Sequence, residues 1–259
     1  MDDKLFVPYL KELADKYSAA ENLQVELKPG KVDVSCNKGS FSFVYDFSQL
    51  DENDASVVPM LHWRNKRRYI ELKNILKTKM VEDPRGMRIH HIVPKSDFDC
   101  SLENILCFEA DIIEFITGQK VTKIFADFSG DVYTNCIAYC NEKLVASLEL
   151  GFSPEGSEPV LLHEVIARTG IASDVAVDTQ MQQYPIYVIK GKELEHYNEI
   201  DNELYGLDNT QADCIRFILA VLTNPDVIPE LQKQGSHLVA VYKAAEKATK
   251  VLEYAEVEC

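Results

Sequence analysis

Between residues 4 and 17 the apolar side chains Phe6, Tyr9, Leu10, Leu13 and Tyr17 recur every three to four positions, with Lys and Glu on the opposite side. That spacing predicts an amphipathic helix. The pattern then changes to alternation in LQVELKPG, KVDVSC and SFSFVYDF, interrupted by Pro-Gly and Asn-Lys-Gly turns. A period of two broken by such turns predicts a small antiparallel meander. The acidic stretch SQLDENDAS closes this unit, and we place a boundary at residue 57, between an N-terminal helix-plus-meander unit (1–57) and a second domain (58–259).

Past the boundary, VVPMLHW leads into RNKRRYIELKNILKTKM, where Tyr69, Leu72, Ile75 and Leu76 form a helical stripe ended by Asp83, Pro84 and Gly86. MRIHHIV reads as a strand, and SLENILCFEADIIEFITG as a helix closed by Gly118. Five strands follow, in KVTKIFADF, DVYTNCIAYC, KLVASLELGF, EPVLLHEVIARTG and QYPIYVIK, separated by turn residues. The chain ends in two amphipathic segments, NTQADCIRFILAVLTN and GSHLVAVYKAAEKATKVLEY, the second with Leu238, Val241, Tyr242, Ala245, Ala248 and Leu252 on one face. Strands grouped between helices predict an α+β fold: a large open, mostly antiparallel sheet with helices on one face, plus the small N-terminal helix and β-meander.

Composition narrows the functions open to this fold. Against 27 Lys and Arg stand 42 Asp and Glu, for a net charge of −15, and such a field repels nucleic-acid backbones. No run of apolar residues is long enough to span a membrane, and the acidic start lacks the basic flank of a signal peptide, so the expectation is a cytoplasmic protein. Seven cysteines without a Cys-x-x-Cys pair suggest free thiols rather than a zinc centre. Cys136 and Cys140 lie on one face of a strand but roughly 13 Å apart, too far to share a bond. The cluster Arg64, Lys66, Arg67 and Arg68 reads as a solvated helical turn.

The stretch HHIVPKSDFDCSLENILCFEADIIEF, residues 90–115, invites a different reading. A His pair before a Pro, with an Asn thirteen residues after the second His, is how a metal-dependent HNH nuclease centre often begins. His91 and Asn104 fill its first two places. The metal-binding His or Asn expected later on the helix is missing, since Asn104–Gly118 holds only Glu109, Asp111 and Glu114 as polar candidates. With an acidic chain and no metal set, a nuclease remains a minor alternative.

Beyond residue 60 the order of features resembles the C-terminal domain of the Gfo/Idh/MocA family of NAD(P)-dependent sugar oxidoreductases. The resemblance is carried by Arg64 with RRYIELKNIL, by Gly86-Met87-Arg88-Ile89, by ADIIEFITGQKVTKIFA, by HEVIARTGIASD with Gly170 and Asp174, and by the closing QGSHLVAVYKAAEKATKVLEY. It covers about 200 residues in colinear order. It implies that the helix through Asp111 is the family's substrate helix, with Asp111 on the family Asp and Phe108 on the catalytic His. Phenylalanine moves no proton, so the resemblance implies no catalytic residue here.

The family's nucleotide-binding domain also lacks a counterpart: no G-x-G-x-x-G occurs, Gly30 and Gly39 sit in hairpin turns, and no lysine matches the family's Glu-Lys-Pro. We therefore expect no cofactor, no metal, and a non-catalytic binding or assembly protein with a carbohydrate-like ligand cleft at Asp111, Glu109, Arg64 and His91. The alternative is a divergent NAD(P)-dependent oxidoreductase that borrows cofactor from a partner chain. His90 and His91 alternate across their strand, so one faces inward. His163 is expected to meet a cross-strand partner, and Met181, Tyr184 and Tyr187 to line a sheet face. As in the family, the uncovered sheet face implies a homodimer.

Overall fold

In the computed structural model the described residues are 3–51, 53–95, 101–141, 143–174, 186–190, 193–197 and 206–258. Helix α1 (Asp3–Lys16) precedes the predicted meander of β1 (Gln24–Lys28), β2 (Lys31–Cys36) and β3 (Gly39–Val44). The turn between β1 and β2 requires glycine. At Gly30, with φ +79°, a Cβ would come within 2.2 Å of the Gln49 side chain and 2.8 Å of Asp46. The small sheet has a fourth strand, β4 (Val57–Pro59), parallel to β3, so the short apolar run after the acidic loop continues this sheet.

Val32, Val34 and Phe43 on the small sheet are buried, and helix α4 (Asn209–Thr223) packs there with α1. Phe43 meets Phe217 of α4 edge-on at 6.4 Å.

The large sheet has seven strands in the order β10-β9-β5-β8-β7-β6-β13. They are β5 (Pro84–Pro94), β6 (Val121–Ser129), β7 (Tyr133–Cys140), β8 (Leu144–Ser153), β9 (Val160–Ala167), β10 (Gly170–Ser173) and β13 (Ala255–Glu256). All neighbours are antiparallel except β5 and β8. The fold is thus α+β with open mixed sheets, as the pattern predicts. Helices α3 (Leu102–Thr117) and α5 (Ile228–Val251) pack against the sheet. The row beneath them, including Ile89, Ile124, Ala138 and Leu148, is buried, while Arg88, Asn135, Val145 and Ser147 on the other face are exposed.

Four details differ from the sequence reading. EPVLLHEVIARTG is not one strand but β9 turning at Arg168–Thr169 into β10. Ile186–Lys190 (β11) pairs with Glu193–Tyr197 (β12) in a separate hairpin rather than joining the large sheet. The strand MRIHHIV lies inside the large sheet as the third of its seven strands, flanked by β9 and β8. Leu252 does not continue the apolar face of α5, because it adopts a left-handed φ of 57° that ends the helix and leaves its side chain 71% exposed. Met181 and Tyr184 lie outside the described residues, and of Tyr187 only its place on β11 is described.

Helix α5 also ties the two sheets together. A Cβ on Gly235 would lie 2.8 Å from Pro59 Cγ and 2.9 Å from Leu50 Cδ2, so any larger residue pushes α5 away from β4. Cys36, Cys107, Cys136, Cys140 and Cys214 are free thiols; Cys100 and Cys259 lie outside the described residues. Among the described residues no helix is long and apolar enough to cross a membrane.

Candidate functional site

Helix α3 organises the site. Ser101 caps its N-terminus by accepting from Asn104 N at 3.1 Å, and Gly118 closes it at φ 69°. Between these caps the helix is apolar nearly all round, with Ile105, Leu106, Ile112, Ile113 and Ile116 buried. Three acids, Glu109, Asp111 and Glu114, are buried with them, with exposures of 0%, 0% and 6%. Carboxylates withdrawn this far from water persist only where partners replace the solvent. Each of the three has its own set.

Glu109 lies between two imidazoles. Its Oε1 bonds His91 Nδ1, and its Oε2 lies 3.0 Å from His163 Nε2. His163 Nδ1 in turn lies 2.8 Å from Asp174 Oδ2, and His163 N donates to Asp174 Oδ1 at 2.8 Å. Tyr69 packs edge-on against the His163 ring at 4.9 Å. Burial opposes the charge on Glu109, yet the positive charge of His163 and the hydrogen bonds from both imidazoles outweigh it and hold the carboxyl at about 2. Burial likewise pushes His163 down, but Glu109 and Asp174 on either side raise it to about 9. The result is a hydrogen-bonded relay, Asp174–His163–Glu109–His91, with His163 and Glu109 as its ion pair, running from the residue after β10 through β9 and α3 to β5.

Asp111 receives four donors. Trp63 Nε1 at 2.7 Å and Arg64 Nε at 2.8 Å reach Oδ2, while an Arg64 terminal nitrogen at 2.5 Å and Gln234 Nε2 at 2.8 Å reach Oδ1. The Arg64 pairing is the bidentate fork expected of a guanidinium on a carboxylate. Glu114 is bound by Val121 N (2.9 Å), His237 Nε2 (2.6 Å), Lys120 Nζ (2.7 Å) and Gln234 Nε2 (2.8 Å). Burial opposes its charge as well, and His237 and Lys120 lower its pKa against that opposition. Gln234 of α5 therefore joins the two carboxylate networks.

Phe108, the position that the resemblance gives to a proton-transfer residue, sits in an aromatic cage. Its ring lies 4.6 Å from Trp63, 5.2 Å from His91 and 6.0 Å from Tyr69. Phe47, 2% exposed, stacks on the far side of Trp63 at 6.1 Å. Its backbone N–H donates to Asn104 Oδ1 at 2.8 Å, so the end of the N-terminal unit is bonded to the first turn of α3.

The sequence-derived candidates thus divide. Glu109 and Asp111 are enclosed and bonded internally, whereas Arg64 and His91 keep 28% and 11% of their side chains exposed. His91 and Asn104, the pair of the nuclease reading, take separate partners, Glu109 for the first and Phe47 with Asp46 for the second. Among the described residues no group of three His, Cys, Asp or Glu is arranged to hold a metal. His90 faces the open side of the sheet, 3.0 Å from Glu149, while His91 faces α3, as alternation requires. One partner of His163 is cross-strand as expected: Asp174 continues the β9–β10 register opposite it and donates its backbone N–H to His163 O at 3.1 Å, while the other, Glu109, comes from helix α3. Of the basic cluster, Arg67 pairs with Glu71 at 3.6 Å and Arg68 with Asp174 at 3.4 Å.

Sequence reasoning missed His163, Asp174, Gln234 and His237 as members of these networks. The available signal was the three acids inside FEADIIEF, a segment whose flanking positions are all apolar. A helix apolar on every side is buried, and its acids then need partners from other elements.

Among the described residues, the N-termini of α3 and α4 are capped by Ser101 and Asp208; of the positive-φ glycines, Gly118, Gly130 and Gly156 lie at a helix C-terminus or in turns, and Gly206 stands alone two residues ahead of the Asp208 cap, so these residues do not fit the glycine-rich turn that holds a dinucleotide pyrophosphate.

Neither a protein family nor a curated protein matches the sequence. Solved structures do match in fold. Myo-inositol 2-dehydrogenase from Lactobacillus plantarum aligns with a TM-score of 0.52 at 11% identity, over 76% of this chain and 64% of its own. Scyllo-inositol dehydrogenase from Lactobacillus casei, solved with NAD(H) and scyllo-inositol, aligns at 0.55 and 16% identity, over 78% and 64% of the two chains. An oxidoreductase domain protein from Kribbella flavida aligns at 0.55 and 12% identity, over 78% and 67%. The chain spans 64% of the length of the first two. About three quarters of this chain therefore shares its fold with inositol dehydrogenases of known structure, at low sequence identity.

Proposed function

We propose that this chain is an oxidoreductase-like binding or assembly protein that does not transfer hydride on its own. Residues 58–259 take the role of the family's C-terminal domain, without a nucleotide-binding domain of their own, and residues 1–57 form an appended unit. One observation carries the reading: Phe108 occupies the place that the resemblance gives to the catalytic imidazole, locked among Trp63, Tyr69 and His91. A polyol of the kind held by the Lactobacillus casei enzyme is the ligand class this reading names. Its contacts fall first to Arg64, the most exposed of the four candidates, with the largely buried His91 as the second. Asp111 and Glu109 hold those two side chains in place, as buried carboxylates do for guanidinium and imidazole groups.

Titration with NADH and NADPH, followed by nucleotide fluorescence, tests this reading. It predicts no saturable binding and no reduction of NAD or NADP in the presence of myo- or scyllo-inositol. Micromolar nucleotide binding with turnover favours a second reading, a divergent oxidoreductase whose cofactor comes with a partner chain. The relay behind His91 is the observation on that side. An imidazole oriented by a buried carboxylate is the usual form of a general acid–base, and His91 packs directly against Phe108.

The proposal includes a homodimer formed through the open face of the large sheet. Phe125, Tyr139 and Tyr254 cluster there, with Tyr254 5.5 Å from Phe125 and 5.2 Å from Tyr139, and Val145 and Ile166 are exposed beside them on the same face. A second copy would remove this apolar surface from water. Light scattering at micromolar concentration is expected to return twice the 29.4 kDa chain mass; a monomer there counts against the dimer.

A further inference from the structure

Beside the C-terminal halves of α2 (Arg67–Lys77) and α3 and the N-terminal third of α5, at Gln234, lies a groove of about 640 Å³. Its volume falls in the range of small-molecule sites, about 300–1,000 Å³. Arg64, Lys73, Lys77 and Lys120 line it, and Glu114 is the one acid on its wall among the described residues. Glu114 is already bound by four donors. In a chain of net charge −15, this concentration of cations needs a reason.

Helix polarity explains part of it. Lys77 stands in the last turn of α2, where a cation complements the helix dipole. Lys73 is one turn earlier, and like charges four residues apart on a helix repel. Among the described residues neither Lys73 nor Lys77 forms an ion pair, although the buried Asp111 carboxylate offsets part of the positive charge around Lys73. Lys73 Nζ lies 3.8 Å from the centroid of Phe115, and the Arg64 guanidinium approaches the same ring at 5.5 Å. Burial, Arg64 and Lys77 all lower the Lys73 pKa. Asp111 uses only the inner edge of Arg64, Nε and one terminal nitrogen. The other N–H groups of its five remain for the groove.

We propose that this groove binds a small molecule through an oxyanion, a phosphoryl or carboxylate group. Lys73 and Lys77 supply an ammonium pair, the outer edge of Arg64 supplies directed donors, and Phe115 forms an apolar floor for the carbon skeleton. A bound anion relieves the repulsion that the lysines carry without it. The proposal rests on the reading above insofar as Arg64 is a ligand contact, and it adds that the ligand is anionic rather than a neutral polyol.

Calorimetric titration with inorganic pyrophosphate tests it, alongside neutral myo-inositol as a separate probe. The whole chain is expected to bind pyrophosphate, more weakly as salt rises, with a raised thermal midpoint at saturation. Lys73→Ala with Lys77→Ala is expected to weaken binding by about tenfold or more, while Lys11→Ala on α1 leaves it unchanged. Both groove lysines are at least partly exposed, so the double variant folds, and its own thermal midpoint verifies this. Absence of heat with millimolar pyrophosphate overturns the proposal, as does equal binding by the double variant. Myo-inositol binding without pyrophosphate binding also overturns it, and leaves the binding-protein reading standing. NADH binding and turnover that persist in the double variant overturn that reading instead, since they require a separate nucleotide site.

Discussion

Glu109→Gln is expected to lower the unfolding free energy by roughly 3–5 kcal/mol, the cost of removing one partner from a buried ion pair. The side chain keeps its size, so the loss reports charge rather than packing. Glu109 is held at about 2 against an ordinary 4.5. Its ionised form therefore contributes stability that is present above pH 4.5 and is lost as pH falls toward 2. His163 is raised from 6.5 to about 9. Its contribution is fully present below pH 6.5 and is lost as pH rises through 9. Each displacement corresponds to roughly 3 kcal/mol, and because the two describe one pair the energy counts once. Urea unfolding of the wild type should then show greatest stability between about pH 4.5 and 6.5. In the glutamine variant the acid limb weakens and the alkaline limb moves toward neutral pH, where His163 keeps only Asp174 as its acid. An unchanged pH profile in the variant would mean that Glu109 and His163 are not an ion pair.

How far this arrangement could be read from the residues depends on which interactions are local. Alternation in MRIHHIV correctly separates His90 from His91, because the two faces of a strand follow from backbone geometry alone. The ends of α3 are equally legible, since Ser101 and Gly118 act within one turn of the helix. The β9–β10 turn was hidden because Ala167-Arg168-Thr169-Gly170 carries only one strong turn residue in a run that otherwise alternates. The second cover on α3 was hidden for a different reason. The large sheet lies on one side of it, while Trp63, Tyr69 and Gln234, from three other segments, close around its acids. The all-apolar surround of the acids signals that the helix is enclosed, but nothing within it records which segments close around it. A carboxylate that reads as a solvent-facing or ligand-facing group is therefore, in the fold, the acceptor for groups 48 and 123 residues distant in the chain.

That separation makes Asp111→Ala the second large effect. The carboxylate gathers Trp63 and Arg64 ahead of α2 and Gln234 on α5 onto α3. Alanine removes the acceptor and leaves the buried Trp63 N–H, one edge of Arg64 and the amide of Gln234 without it. The expected loss is roughly 3–5 kcal/mol, read as the change in urea midpoint. Asn in its place keeps one carbonyl oxygen and is expected to cost less. Polyol or anion binding should fail in the alanine variant too, because Arg64 is no longer held toward the groove. Stability and binding lost together do not by themselves separate a structural role from a ligand contact, but a double-mutant cycle does. If Asp111 acts by holding Arg64, Arg64→Ala with Asp111→Ala costs at least about 1 kcal/mol less than the two single losses combined. Additive losses would mean that the fork is incidental, and that Asp111 is buried for the sake of Trp63 and Gln234 alone.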